Sequence, residues 1–233
     1  MRHLRRIPVV VLVISSTTLS LASPQTGRSA AWTTEFLVDA SELATTGSNP
    51  YFILEPGFQA VFEGGSERLV ITVLDDIKRV DGVDTRVVEE RETKDGHLVE
   101  VSRNYFALSR RTNAVFYFGE DVDMYEKDKI VSHEGAWLSG AGGAKFGLMM
   151  PGTILLGARY YQEIAPKIAM DRAEIVSMTD TVKTPAGEFR GCIRMEETTP
   201  LEPGVREAKY YARGIGLVQD GDLKLVKYGK TQQ

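Results

Sequence analysis

Apolar and polar side chains alternate along most of this chain in short stretches broken by turn residues, and that period of two is the signature of β-strands. Residues 51–54 are dense in strand formers and end at Pro56-Gly57. Residues 69–74 form a nearly continuous apolar run, which predicts a strand buried on both faces. Asp81-Gly82 and Asp95-Gly96 are hairpin turn pairs, and each leads into a further strand, over 83–88 and 98–108. In the next stretch Phe116, Phe118, Val122 and Met124 fall on one side and Tyr117, Asp121, Asp123 and Tyr125 on the other, as in a half-buried strand. Further strands are predicted over 130–133, 160–164, 173–182, 189–197, 207–212, 216–219 and 223–228, separated by Gly, Pro and Asp-Gly punctuation. No long helical period occurs; a short helix over 34–43 is the one helical expectation. The predicted fold is all-β and mainly antiparallel, a curved sheet forming a half barrel or an open barrel.

The rhythm breaks at residues 135–152, where six glycines and a proline surround Trp137, Phe146, Met149 and Met150. A long irregular segment is expected there. Two readings stand: a mobile flap over one end of the sheet with those four side chains as an apolar, ligand-binding underside, or a permanently packed Ω-loop.

Three segments carry a resemblance: Asn49-Pro50-Tyr51-Phe52-Ile53-Leu54-Glu55-Pro56-Gly57, then Val182-Lys183-Thr184-Pro185-Ala186-Gly187-Glu188-Phe189, and then Lys209-Tyr210-Tyr211-Ala212-Arg213-Gly214-Ile215-Gly216-Leu217-Val218. Together they resemble the TapB-like family of exported bacterial domains of unknown function. Through it the chain looks distantly similar to the half barrels that carry lipoproteins across the periplasm. The resemblance implies a curved antiparallel sheet that cups an apolar ligand, and it brings no binding residue with it.

At the N-terminus, Arg2, Arg5 and Arg6 precede an apolar run and small residues at Ser20 and Ala22, which reads as a signal peptide over 1–22. The run is too short and too polar for a membrane span, so no integral span is expected once it is removed. A flexible leader over 23–48 and a single β domain over 49–229 follow. Localisation is then exported, secreted or periplasmic. The one cysteine, Cys192, allows no internal disulfide and no lipid anchor near the signal, and it reads as a packed thiol.

The net charge of −4 becomes more negative without the signal's arginines, and charges are interleaved in runs such as 89–95, which read as a solvated sheet face. Nucleic acid is not an expected partner.

His133-Glu134 has Trp137 where a zinc-protease helix needs its second histidine. The acidic group Glu120, Asp121, Asp123 and Glu126 lacks the calcium-loop glycine and reads as solvated surface. The glycines of 140–147 are not followed by the residues of a phosphate loop, and Ser139 lacks a nucleophile context. No catalytic residue, metal site or cofactor is assigned. The aromatics Tyr51, Phe52, Phe106, Phe116, Phe118, Tyr160, Tyr161, Tyr210 and Tyr211 suffice to line an apolar cup, although core packing is their ordinary use. The expected function is a non-catalytic module that binds an apolar small molecule or a cell-envelope component. The alternatives are a hydrolase or metal-dependent enzyme using carboxylates from separate strands, and a purely structural envelope protein.

Overall fold

The computed structural model describes residues 31–231, so the predicted signal peptide and the first part of the leader lie outside the described residues. The leader contributes β1 (Leu43–Ala44), and a small hairpin follows, β2 (Gly47–Asn49) and β3 (Phe52–Leu54). Next comes a five-strand meander: β4 (Phe58–Gly64), β5 (Glu67–Val80), β6 (Val83–Lys94), β7 (His97–Ser109) and β8 (Val115–Glu126). Short pieces form β9 (Lys129–Ser132), β10 (Trp137–Leu138), β11 (Lys145–Met150), β12 (Arg159–Tyr161) and β13 (Glu163–Ile164). A second meander completes the wall: β14 (Arg172–Thr184), β15 (Gly187–Thr198), β16 (Glu207–Ala212), β17 (Gly216–Asp220) and β18 (Leu223–Lys230).

The turns are those the sequence signals. Asp81-Gly82 and Asp95-Gly96 all take positive φ, the type I′ geometry that suits the twist of a hairpin. The two meanders join edge to edge through antiparallel pairing of β18 with β4, from Lys224↔Glu63 to Lys230↔Phe58. At the far edges β14 takes β12, while β8 takes β11, which in turn takes β13. Only Gln162 separates β12 from β13, so the sheet curls into an antiparallel barrel that is nearly closed and keeps one unsealed seam.

Gln162 spans that seam with its side chain, donating to Glu197 Oε1 on β15 at 2.9 Å and approaching Met149 Sδ on β11 at 3.6 Å. The leader straps the same seam from outside. Thr33 bridges Tyr160 on β12, Lys145 on β11 pairs with Glu35 at 3.0 Å, and Phe36 packs edge-on against Phe116 of β8. The described part of the expected leader is therefore docked. The helix expected over 34–43 does not form. A single 3-10 turn, Ala40–Glu42, is capped by Asp39, and the edge of β7 then captures Leu43 and Ala44 as β1.

The long loop expected over 135–152 is also corrected. Trp137 and Leu138 pair with Glu120 and Gly119, and residues 147–150 pair with residues 115–117, so two stretches of the segment run along the edge of β8 as sheet, joined by an irregular turn over 139–144. Its glycines serve close approach. A Cβ on Gly147 would run into the backbone of Gln162, and one on Gly119 would meet the Trp137 carbonyl. We expect Gly147→Ala to push β11 away from the seam and lower the melting temperature by about 5 °C or more, read by thermal unfolding, because backbone rather than a flexible side chain must move.

Burial divides into three clusters. Two form the core of the barrel and meet at one apolar space, one around Val73, Val88, Phe106, Ile175 and Met195, the other around Phe62, Leu69, Cys192 and Leu225. The third lies outside, where Tyr105, Ala107, Phe116 and Phe118 are covered by Phe36, Val38, Leu138 and Phe146. The first half of β8 is therefore buried on both faces, where a half-buried strand was expected. In addition, a bulge opposite Tyr105 makes Asn104↔Glu120 and Phe106↔Tyr117 successive pairs. Tyr117 and Glu120 thus both point inward, while Asp121 points out to Tyr105 and Lys78.

Candidate functional site: an amphipathic lumen

The inward faces of β6, β7, β15 and β16 start apolar and turn polar along the barrel, whereas that of β5 stays apolar. On β5 it reads Val73, Ile71, Leu69; on β6 Val88, Glu90, Glu92; on β7 Phe106, Asn104, Ser102, Glu100; and the register places Val73 opposite Val88 and Ile71 opposite Glu90. Across the barrel, β15 contributes Ile193, Met195 and Glu197, opposite Tyr211, Lys209 and Glu207 of β16, and β17 sets Asp220 against Lys209. The result is an interior with an apolar end and an acidic middle.

Three contiguous spaces follow. An apolar chamber of about 100 Å³ is lined by Tyr51, Phe52, Phe58, Ala60, Ile71 and Tyr211, with Glu90, Lys209 and Asp220 as its polar floor. A polar waist of about 140 Å³ shares Glu90, Phe106, Met149 and Lys209 with the chamber and adds Asn104, Tyr117, Gln162, Glu163, Asp171 and Glu197. A mouth of about 380 Å³ shares Glu163, Asp171 and Glu197 with the waist and is rimmed by Ile168, Leu201 and Val205.

The β2–β3 hairpin stoppers the apolar end. Asn49, fully buried, donates to the carbonyls of Asn113 at 2.8 Å and Pro151 at 2.9 Å and accepts from the Tyr51 amide at 2.8 Å. That fixes Tyr51 and Phe52 over the chamber. It also gives the Asn49-Pro50-Tyr51-Phe52 segment a physical role: it is a plug held by buried hydrogen bonds.

The waist is a hydrogen-bonded set. Trp137 Nε1 donates to Glu163 Oε2 at 2.9 Å while its ring meets Tyr117 edge-on at 5.3 Å, and Tyr117 donates to Asn104 Oδ1 at 2.5 Å. Lys209 Nζ lies 2.9 Å from Glu197 Oε2 and 3.5 Å from Asp220 Oδ2. Although burial opposes its charge, those two carboxylates hold Lys209 well above the ordinary lysine value. Burial dominates for the acids. It pushes Glu90 up to about 8, with Glu92, Asp220 and Glu120 adding repulsion against the pull of Lys209, and it pushes Glu120 up to about 7. Glu163 and Asp171 are also raised, by burial first and then by neighbouring carboxylates. Among the described residues no group of three or more His, Cys, Asp or Glu is arranged to hold a metal ion.

The four side chains expected beneath a flap separate. Trp137 and Met149 belong to the waist, Met150 is fully buried in the core, and Phe146 lies on the outer cluster, stacked on Phe118 at 5.0 Å. Of the expected aromatic cup, Tyr51, Phe52, Phe106 and Tyr211 line the lumen, whereas Phe116 and Phe118 face outward. Cys192 is buried, its Sγ 3.4 Å from the Phe189 carbonyl, and burial pushes its thiol up, away from reactivity.

Sequence reasoning missed Glu90, Glu163, Asp171, Glu197 and Lys209. A signal existed for Glu90 and Lys209, which continue apolar faces at the strand period after Val88 and before Tyr211, but adjacent charges such as Glu89 and Arg91 made those stretches look solvated. For Glu163 and Asp171, in short or irregular segments, there was no such signal.

The chain matches no protein-family model, no curated protein and no solved structure. The chemistry of the lumen therefore carries the functional argument.

Proposed function

We propose that this protein is an exported, non-catalytic binding module, secreted or periplasmic, whose barrel lumen takes up a small molecule with an apolar part. The observation that carries this reading is the plugged apolar chamber opening onto a polar waist: apolar lining with a few convergent polar groups is the usual character of a small-molecule site. Resemblance to the carrier half barrels of the periplasm agrees with it, as does the signal-like N-terminus. Among the described residues no helix is long and apolar enough to cross a membrane.

Native mass spectrometry of the purified protein, together with calorimetric titration with 1-octanol, tests the reading. Bound small molecule or measurable heat is expected from the wild type. Ala60 faces the chamber from β4, so Ala60→Phe fills the chamber and removes binding, at a stability cost of about 1–3 kcal/mol for overpacking. A wild type that carries no added mass and gives no heat with octanol, octylamine or octanoate removes the proposal.

A second reading, an enzyme using carboxylates from separate strands, is favoured by one observation: Glu90 and Glu120, on β6 and β8, are poised near neutral pH, the range suited to proton transfer. Recovery of a bound molecule chemically unchanged after prolonged incubation decides for the binding module.

A further inference from the structure

The lumen's charge is one-sided. Among the side chains lining chamber, waist and mouth, Lys209 is the single cation, against the carboxylates Glu90, Glu120, Glu163, Asp171, Glu197 and Asp220 and, at the rim, Glu202 and Glu207. Lys209 is committed to Glu197 and Asp220. Glu163 has the Trp137 indole, and Glu197 has Gln162 as well as the lysine.

Glu90 differs from these. It is half-buried, and it lines both the chamber and the waist, where the two spaces meet. Among the described residues no side chain hydrogen-bonds or ion-pairs with it, so its oxygens remain available to a group held in the cavity. A polar group so placed, at the end of an apolar space, is complementary to a ligand that carries the missing donor and the missing charge.

We propose that the molecule bound in the lumen is an amphipathic organic cation, with its ammonium group against Glu90 and its slender apolar chain in the chamber beneath Tyr51 and Phe52. This rests on the reading of the lumen as a ligand site and adds the class of ligand. A fatty acid or a phosphate ester would bring a further negative charge to a carboxylate-lined waist. A neutral alcohol would leave the charge imbalance standing. A bare divalent ion lacks the ligand arrangement and has no use for the chamber. A small chamber and a plugged end favour a single slender chain over a bulky ring system.

The test exploits Trp137, which touches Glu163 in the waist. The chain has two tryptophans, so Trp32→Phe leaves Trp137 as the single emitter. In that background, n-octylamine, 1-octanol and octanoate are titrated at pH 7.5, followed by Trp137 emission and calorimetry. Octylamine is expected to bind at least tenfold more tightly than octanol, and octanoate most weakly. Glu90→Gln should lower octylamine affinity about tenfold while leaving octanol affinity within twofold, and Glu163→Gln offers the same comparison should the first variant not fold.

Octylamine affinity should also fall about tenfold from pH 8 to pH 5. The groups facing Glu90 are Glu92, Glu120, Lys209, Asp220, Tyr117 and Tyr211. Over that range the carboxyls take up protons while the amine and Lys209 keep their charge. Equal affinity for octanol and octylamine would overturn the cation proposal while the ligand site stands. Octylamine binding indifferent to Glu90→Gln, Glu163→Gln and Ala60→Phe would also overturn it, since the amine would then be bound elsewhere. Silence from all three compounds would remove the ligand site itself.

Discussion

The protein is expected to be more stable at pH 5.5 than at pH 8.5. Glu90 is held at about 8 in the folded state against an ordinary value of 4.5, so between those limits the native protein binds more protons than the unfolded chain. Stability is then fully present below pH 4.5 and is lost as pH rises through 8. Glu120, at about 7, acts in the same direction, and the raised Glu163, Asp171 and Asp220 add to it. Asp121 is shifted oppositely, since Lys78 and Tyr105 outweigh its burial, and its contribution disappears only on acidification below the ordinary aspartate range. One pKa unit corresponds to about 1.4 kcal/mol. Allowing for solvent in the lumen, the expected loss is about 2–4 kcal/mol, or roughly 5–10 °C in melting temperature for a chain of this size. Thermal unfolding at the two pH values measures it. Glu90→Gln should raise the melting temperature at pH 8.5 and flatten the profile; a wild-type melting temperature that increases from pH 5.5 to 8.5 would contradict the assignment of an under-neutralised lumen.

Removing the lumen's one cation should have the opposite sign and a larger size. In Lys209→Met, Glu197 and Asp220 lose the ammonium that lies 2.9 and 3.5 Å from them, and their charges remain enclosed. Breaking a buried ion pair from one side costs about 3–5 kcal/mol. The loss is expected in full at pH 8.5 and in part at pH 5.5, where the carboxyls can protonate. Adding Glu197→Gln to Lys209→Met should recover part of the stability. A double-mutant cycle by denaturant unfolding gives the coupling, and additivity of the two changes would show that the pair contributes nothing.

The legible parts of this molecule were those governed by local chemistry. Asp81-Gly82 and Asp95-Gly96 specify their turns because positive φ suits few other pairs, and period-two alternation located the long strands of both meanders. What escaped was set by non-local geometry. The bulge at Gly119 changes which residues of β8 face inward, and nothing local distinguishes it from regular alternation. Residues 135–152 looked irregular because glycine is rich there, yet Gly119 and Gly147 mark places where β10 and β13 come too close for a side chain. The waist is built from β6, β7, β8, β11, β13, β15 and β16, drawn from both meanders and the pieces between them, so no spacing rule could assemble it. The leader's strap over the seam was hidden by its polar, small-residue composition; its grip rests on Thr33, Glu35 and Phe36.

The pairing of β18 with β4 also governs the order of assembly. Phe58, in the first strand of the wall, finds its partner in Lys230, in the last. Local hairpins of the first meander can zip as they emerge, but the edge of β4 stays unpaired until nearly the whole described chain has been made. Closure is thus a late, long-range event, of the kind that folds on a millisecond-to-second scale. Until then β4 presents an open row of amides and carbonyls to any passing strand. A chain wired in this way favours being kept extended until its last strand is free, since an early halt exposes the edge that a finished barrel conceals.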